Sequence, residues 1–236
     1  MNDLILSGAV AQENVIARGP RSFSIVRTGP LRPAGDALSH VRLMLDASRS
    51  GNASATYEIF LATLDCKRLY SGGITHTAPD DGIALRLEEC ESLLSEPSLM
   101  DIDWLTDAAE QGSVEAMNLY ATNPDYSIPG GTRNYFRNPE SIQKWKDKSI
   151  SFLNKSASIG SQDAMLNLST AYSAGILFEE NPVAELAFAM AANRVHPIPG
   201  WHDAYIALRL SLSPMQIQQS ESMANQIYQT CCKDHN

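Results

Sequence analysis

The chain has 236 residues, is 44% hydrophobic and 19% charged, and carries a net charge of −9. This composition is that of a globular protein rather than a disordered one. The acidic balance argues against nucleic acid or an anionic membrane surface as the main partner, and no apolar run approaches the roughly 20 residues of a membrane helix.

The first stretch, Leu4–Ala11, reads LILSGAVA. Ala9-Val10-Ala11 has the small-x-small form of a signal-peptidase site, with Leu4-Ile5-Leu6 before it. A basic n-region is missing and the apolar run is short, so one reading is the tail of a signal peptide that starts upstream of Met1, and the other an ordinary apolar leader. Residues 1–35 also carry Arg18, Arg21, Arg27 and Arg32, with Gly19-Pro20 and Gly29-Pro30 between them. The glycines and prolines predict an extended arm rather than a helix. Either the arm lies on the acidic body, residues 36–236, or it is a disordered leader.

The body reads as a succession of helices. Ala37–Ser50 and Ala53–Tyr70 form a first pair, with Leu38, Val41, Leu45 and Ser48 as an inward stripe. Ile83–Ser95 follows, placing Ile83, Leu87, Cys90 and Leu94 on one face. Cys66 and Cys90 flank a glycine-rich loop, and a bridge between them would close it at a gain of roughly 3 kcal/mol. The four cysteines allow three pairings, and buried free thiols are the alternative. The adjacent Cys231 and Cys232 are not expected to bridge each other. Pro97 breaks the chain. Ser98 with Asp101 resembles a capping box for a helix ending at Gln111, whose inward face is Ile102, Leu105 and Ala109. Ser113–Ala121 is a short helix ended by Asn123-Pro124, and a loop runs to Asn138. Asn138-Pro139, Asn181-Pro182 and Ser213-Pro214 each supply a capping side chain and a proline at the tolerated first position. The remaining helices lie near Pro139–Ile159, Ser161–Gly175, Pro182–Arg194, Gly200–Leu212 and Pro214–Lys233. No strand-period segment of useful length is present, so the expected class is all-α.

One junction recurs. Gly51-Asn52, Gly112-Ser113 and Gly160-Ser161 each follow a small residue four positions earlier (Ala47, Ala108, Ser156) and precede an alanine four later (Ala55, Ala116, Ala164). Glycine past a helix end accepts the left-handed backbone that closes the helix, and Asn or Ser caps the next one. The small residues let paired helices cross closely. Such hairpins bury their apolar faces by stacking, which predicts an irregular α/α solenoid.

Residues Lys155–Ala192 resemble a Sel-one-like repeat, a relative of the tetratricopeptide repeat. The residues carrying the likeness are Ser156-Ala157, Gly160, Ala164, Leu168, Tyr172, Gly175 and Ala191-Ala192. Asp103–Tyr120 and Ala47–Ile59 match in part. Ser169 stands where that family has glycine, and the glycine spacing is unequal, so an irregular array with insertions is expected. The resemblance implies a protein-interaction scaffold, often in bacterial envelopes or secretion, without a conserved active site. Cysteine-rich secreted members of the wider family are linked to β-lactam binding, which makes a small exported hydrolase or β-lactam-binding enzyme the alternative.

The sequence offers little catalytic chemistry. It has no nucleophile elbow or phosphate loop. His196 and His202 flank a turn without a third ligand nearby. Cys231, Cys232 and His235 are too crowded for a structural zinc site. Ten carboxylates against Arg86 between Asp80 and Glu110 read as a solvated acidic face rather than a carboxylate pair for hydrolysis. Trp104, Trp145 and Trp201 are core residues or groove anchors. The expected function is therefore a non-catalytic scaffold for a protein or peptide, periplasmic or exported rather than cytoplasmic, with no cofactor or metal, no nucleic-acid partner and no integral membrane segment. Its expected partner-binding residues lie in the loop Asn123–Asn138. There Tyr126, Arg133, Tyr135, Phe136 and Arg137 concentrate residue types that carry interface energy; the alternative is that Tyr135 and Phe136 plug the gap left by the short helix while the arginines pair with nearby carboxylates.

Overall fold

A computed structural model describes residues 14–71, 81–128, 131 and 138–233. Among them the fold is all-α, with one two-stranded antiparallel sheet. No helix among the described residues is long and apolar enough to cross a membrane. Residues 27–116 form one compact unit, and residues 14–26 join residues 117–233 in another.

The three recurrent junctions share one geometry. Gly51, Gly112 and Gly160 have φ of 88°, 112° and 96°. The amide after each glycine donates to the small residue's carbonyl: Asn52 to Ala47 at 3.0 Å, Ser113 to Ala108 at 2.9 Å, Ser161 to Ser156 at 3.1 Å. The glycine amides donate to Ser48, Ala109 and Ala157, completing the same cap three times. The side chains of Asn52, Ser113 and Ser161 then accept from the amides of Ala55, Ala116 and Ala164 at 3.0, 3.2 and 3.2 Å. These three hydrogen bonds reverse the chain in a few residues at each junction, and the alanines behind them are buried.

In the unit of residues 27–116, α1 (Ala37–Arg49) packs on α2 (Ala53–Tyr70), and α2 on α6 (Trp104–Gln111). Val41, Ile59, Leu61 and Leu105 are in its core. Between them lie α3 (Asp81–Glu88), α4 (Glu91–Leu94) and α5 (Pro97–Met100). The single helix expected over Ile83–Ser95 is thus interrupted at Glu89-Cys90, and Leu93 rather than Leu94 is buried. The capping box expected at Ser98 and Asp101 is not formed; Asp103 caps α6, accepting from the Thr106 amide at 3.1 Å. Pro97 starts its own single turn instead, which leaves Ile102 outside the helix and 39% exposed.

In the other unit, α7 (Val114–Thr122, whose residues from Met117 belong here) is followed by a short helix α8 (Pro124–Ser127), α9 (Pro139–Ser158), α10 (Gln162–Ala174), α11 (Pro182–Val195), α12 (Trp201–Ser211) and α13 (Pro214–Cys231). Helices α9, α10, α11 and α13 pack in succession around Leu153, Met165, Leu168, Ala191 and Ala224. All three Asn/Ser-Pro starts are formed as expected, and Ser213 with Gln216 makes a full capping box.

The described part of the arm, from Asn14, holds no α-helix. β1 (Val15–Gly19) and β2 (Ser22–Ile25) form a hairpin with an irregular register at Ala17/Gly19, strands the sequence pattern was too short to show. The Phe23 amide donates to the Gly160 carbonyl at 3.0 Å, the Ile25 amide to Asp163 at 2.7 Å, and Ser24 to Gln162 at 2.9 Å. The basic residues that follow meet acids. Arg27 pairs with Glu58 at 2.6 Å and Glu115 at 3.3 Å. The side chain of Arg32 is fully buried, 3.0 Å from both Asp65 and Glu89; its Nε is near enough to Asp65 to pair but is not aligned for a hydrogen bond. The carbonyls of Pro33, Gly35 and Arg86 complete the shell of Arg32. An arginine so enclosed is held by geometry, since removing its partners would leave a buried charge uncompensated.

Candidate functional site

Helices α7, α9 and α10 enclose a groove of about 600 Å³, within the size range of ligand sites. Its walls follow from helical spacing. On α9, Trp145 and Leu153 stand eight residues apart on one face, with Lys146 at the edge. On α10, Asn167, Thr170, Ala171 and Ala174 make a stripe of small side chains, and that stripe is why the groove is open rather than filled. Ala121, Thr122, Pro124, Ile176 and Leu177 complete the lining. The Trp145 ring is fixed: it is 4% exposed and its indole N–H donates to the Tyr120 carbonyl at 3.0 Å. Ile176, by contrast, is 50% exposed.

Among the described residues the lining contains one ammonium, from Lys146, two threonine hydroxyls and one amide, and no carboxylate, imidazole or thiol. Its chemistry is that of apolar contact with a few hydrogen bonds and one positive charge. Nothing in it pairs an acid with a base.

The residues singled out from sequence divide as follows. Tyr126 lies in α8, two residues after Pro124, and does not line the groove; its amide donates to the Asn123 carbonyl at 3.2 Å. Arg133, Tyr135, Phe136 and Arg137 lie outside the described residues, as does His235. Cys66 and Cys90 are bridged, with Cα atoms 5.5 Å apart. Cys231 and Cys232 are bridged as well, contrary to expectation, and both are buried against the core of their unit. Asp65, Cys66 and Cys90 bring ligand-type atoms within 4.8 Å of one another, but disulfide sulfurs are not the thiolates a metal needs.

Part of the acidic stretch has structural roles. Asp103 is a cap, Glu89 pairs with Arg32 and Arg86, and Glu96 lies near Arg42. The Gly35 amide, and after it the arginines, hold the Glu89 carboxyl below the usual carboxylate range. Trp104 is a core residue whose indole donates to the Leu99 carbonyl, and Trp145 serves both core and groove. His196 contributes its backbone carbonyl to Gln162. The small-residue stripe of α10 was the missed signal: Thr170, Ala171 and Ala174 stand in the sequence at helical spacing, but small residues also mark helix crossings, and nothing local tells the two apart.

No protein-family model matches the chain, and no curated protein matches it. One similar solved structure is a protective antigen present in uropathogenic Escherichia coli strains, described as displaying an SLR fold; it is 16% identical over 83% of this chain, with a TM-score of 0.33. The chain spans 46% of that antigen's length. Likeness at this level carries no argument about what the chain binds.

Proposed function

We propose that the chain is a non-catalytic helical-repeat scaffold of the Sel-one-like kind, which holds an apolar side chain of a protein or peptide partner in the groove between α7, α9 and α10. The observation that carries this reading is the groove itself: an apolar trough floored by small residues and walled by an immobilised tryptophan. Preorganised walls lower the ordering cost of binding. The threefold junction supports the repeat assignment, because the same six-residue hydrogen-bond pattern recurs at 47–52, 108–113 and 156–161. The Cys66–Cys90 bridge supports an oxidising compartment, periplasmic or exported.

The reading extends to the segment that follows Pro124. Tyr126, Arg133, Tyr135, Phe136 and Arg137 adjoin the groove in sequence and are of the types that anchor interfaces. The test begins with peptides selected from a displayed library against the wild-type chain. Thr170 is exposed on the groove floor, so Thr170→Trp fills the trough without entering the core. Selected peptides should lose binding to this variant while its melting temperature holds. Peptides that bind both proteins equally would place the contact elsewhere. Replacing Arg133 and Arg137 together by Ala should weaken the same peptides; unchanged binding would remove the segment from the site but leave the groove.

A further inference from the structure

A second cleft, of about 350 Å³, lies where α12 meets the end of α11, and it is lined by Met190, Asn193, Arg194, Trp201, His202 and Arg209. The turn between the two helices sets it up: Asn193 Oδ1 accepts the Ile198 amide at 2.9 Å, and α12 then starts at Trp201. The chain has 27 acidic and 18 basic residues, yet these six supply two guanidiniums, an imidazole and an amide with no carboxylate.

The two arginines are poorly matched within the protein. Arg194 donates to the neutral Asn225 side chain and has no ion-pair partner among the described residues. Arg209 is 4.0 Å from Glu221, with both side chains partly exposed. Elsewhere in this chain a half-buried arginine such as Arg27 sits between two carboxylates. The Trp201 indole N–H is shielded from water and has no acceptor among the described residues. Its ring stacks on Tyr205, with centroids 5.7 Å apart.

We propose that this cleft binds a small organic oxyanion: a phosphate or carboxylate group carried on a short apolar or planar body. The guanidinium fork matches both oxyanions in geometry and charge. Met190 and the Trp201 ring supply the apolar wall, and the volume is at the lower end of small-molecule sites, about 300 Å³ and upward, which suits such a body better than a bare ion. This site is separate from the groove, so either proposal can fail alone.

Tryptophan fluorescence reads it directly, because Trp104 and Trp145 are buried at 8% and 4% exposure while Trp201 is half-buried. Phenyl phosphate, benzoate, inorganic phosphate and phenol are titrated separately into the full chain at constant ionic strength. Phenyl phosphate or benzoate should quench saturably and raise the melting temperature. The more effective of the two identifies the oxyanion. Inorganic phosphate should bind about tenfold more weakly, and phenol should not saturate. Arg194→Gln with Arg209→Gln should abolish the response; if that double variant fails to fold by circular dichroism, each single variant must show a weakened one. No response from any anion up to about 10 mM, an equal response from phenol, or a response that survives loss of the arginines would overturn the proposal.

Discussion

At the scale of single residues, His40 shows how burial becomes pH dependence. Its Nε2 is buried with no hydrogen-bond partner among the described residues, and desolvation holds its pKa below the ordinary 6.5, with Glu58 opposing the effect and the Arg32 charge adding to it. The unfolded imidazole therefore takes up a proton at a higher pH than the folded one. Between the lowered folded pKa and 6.5 the unfolded chain binds more protons, so stability rises with pH through that window and is lost on acidification. Urea denaturation at about pH 7.5 and about pH 5.5 should show a smaller loss for His40→Gln than for wild type; equal losses would place the proton uptake elsewhere. Gly112 gives a test of backbone strain alone, since a Cβ there would meet nothing within 4 Å. At φ of 112° a β-branched residue is disfavoured, so Gly112→Val should cost roughly 1–2 kcal/mol in thermal or urea unfolding. An unchanged melting temperature would count against the shared geometry of the three junctions.

Elements differ in how far local chemistry announces them. The helix starts at Pro139, Pro182 and Pro214 were legible because cap and proline act within four residues. The break at Glu89-Cys90 was not, because the apolar spacing runs through it from Leu87 to Leu94. What fixes Cys90 there is distant: a bridge to Cys66 and a contact with Arg32. The hairpin was hidden for the same reason, since its docking partners are more than a hundred residues away. That docking depends on Gly160, where an added Cβ would fall 2.0 Å from the Arg21 carbonyl oxygen. Gly160→Ala should therefore cost more than Gly112→Ala, by about 1 kcal/mol or more, although both glycines have positive φ. Hydrogen exchange should locate the difference, with protection lost at the Phe23 and Ile25 amides. Equal costs with those amides still protected would mean that the hairpin tolerates the methyl group.

For the molecule as a whole, class and junctions could be read from sequence because they repeat, whereas the groove and the cleft could not. The groove assembles residues far apart along the chain, Ala121 with Ile176; the cleft lies within residues 190–209 but depends on how α12 packs beside α11. The cysteine pairing at 66 and 90 was legible only as one of several choices, and the fold selects it by bringing the Cα atoms to 5.5 Å. Replacing both cysteines by Ala should lower stability by about 3 kcal/mol in denaturant titration, given a separation of 24 residues; a loss well under 1 kcal/mol would mean that the unfolded chain gains little freedom without the bridge. The bridge also changes what it means to cut this chain. A protease that cleaves once between residues 67 and 89 produces two polypeptides but not two particles, because a covalent route through sulfur still joins them. On a gel without reductant such a nicked chain keeps its full mass, and it separates into fragments only when thiol is added.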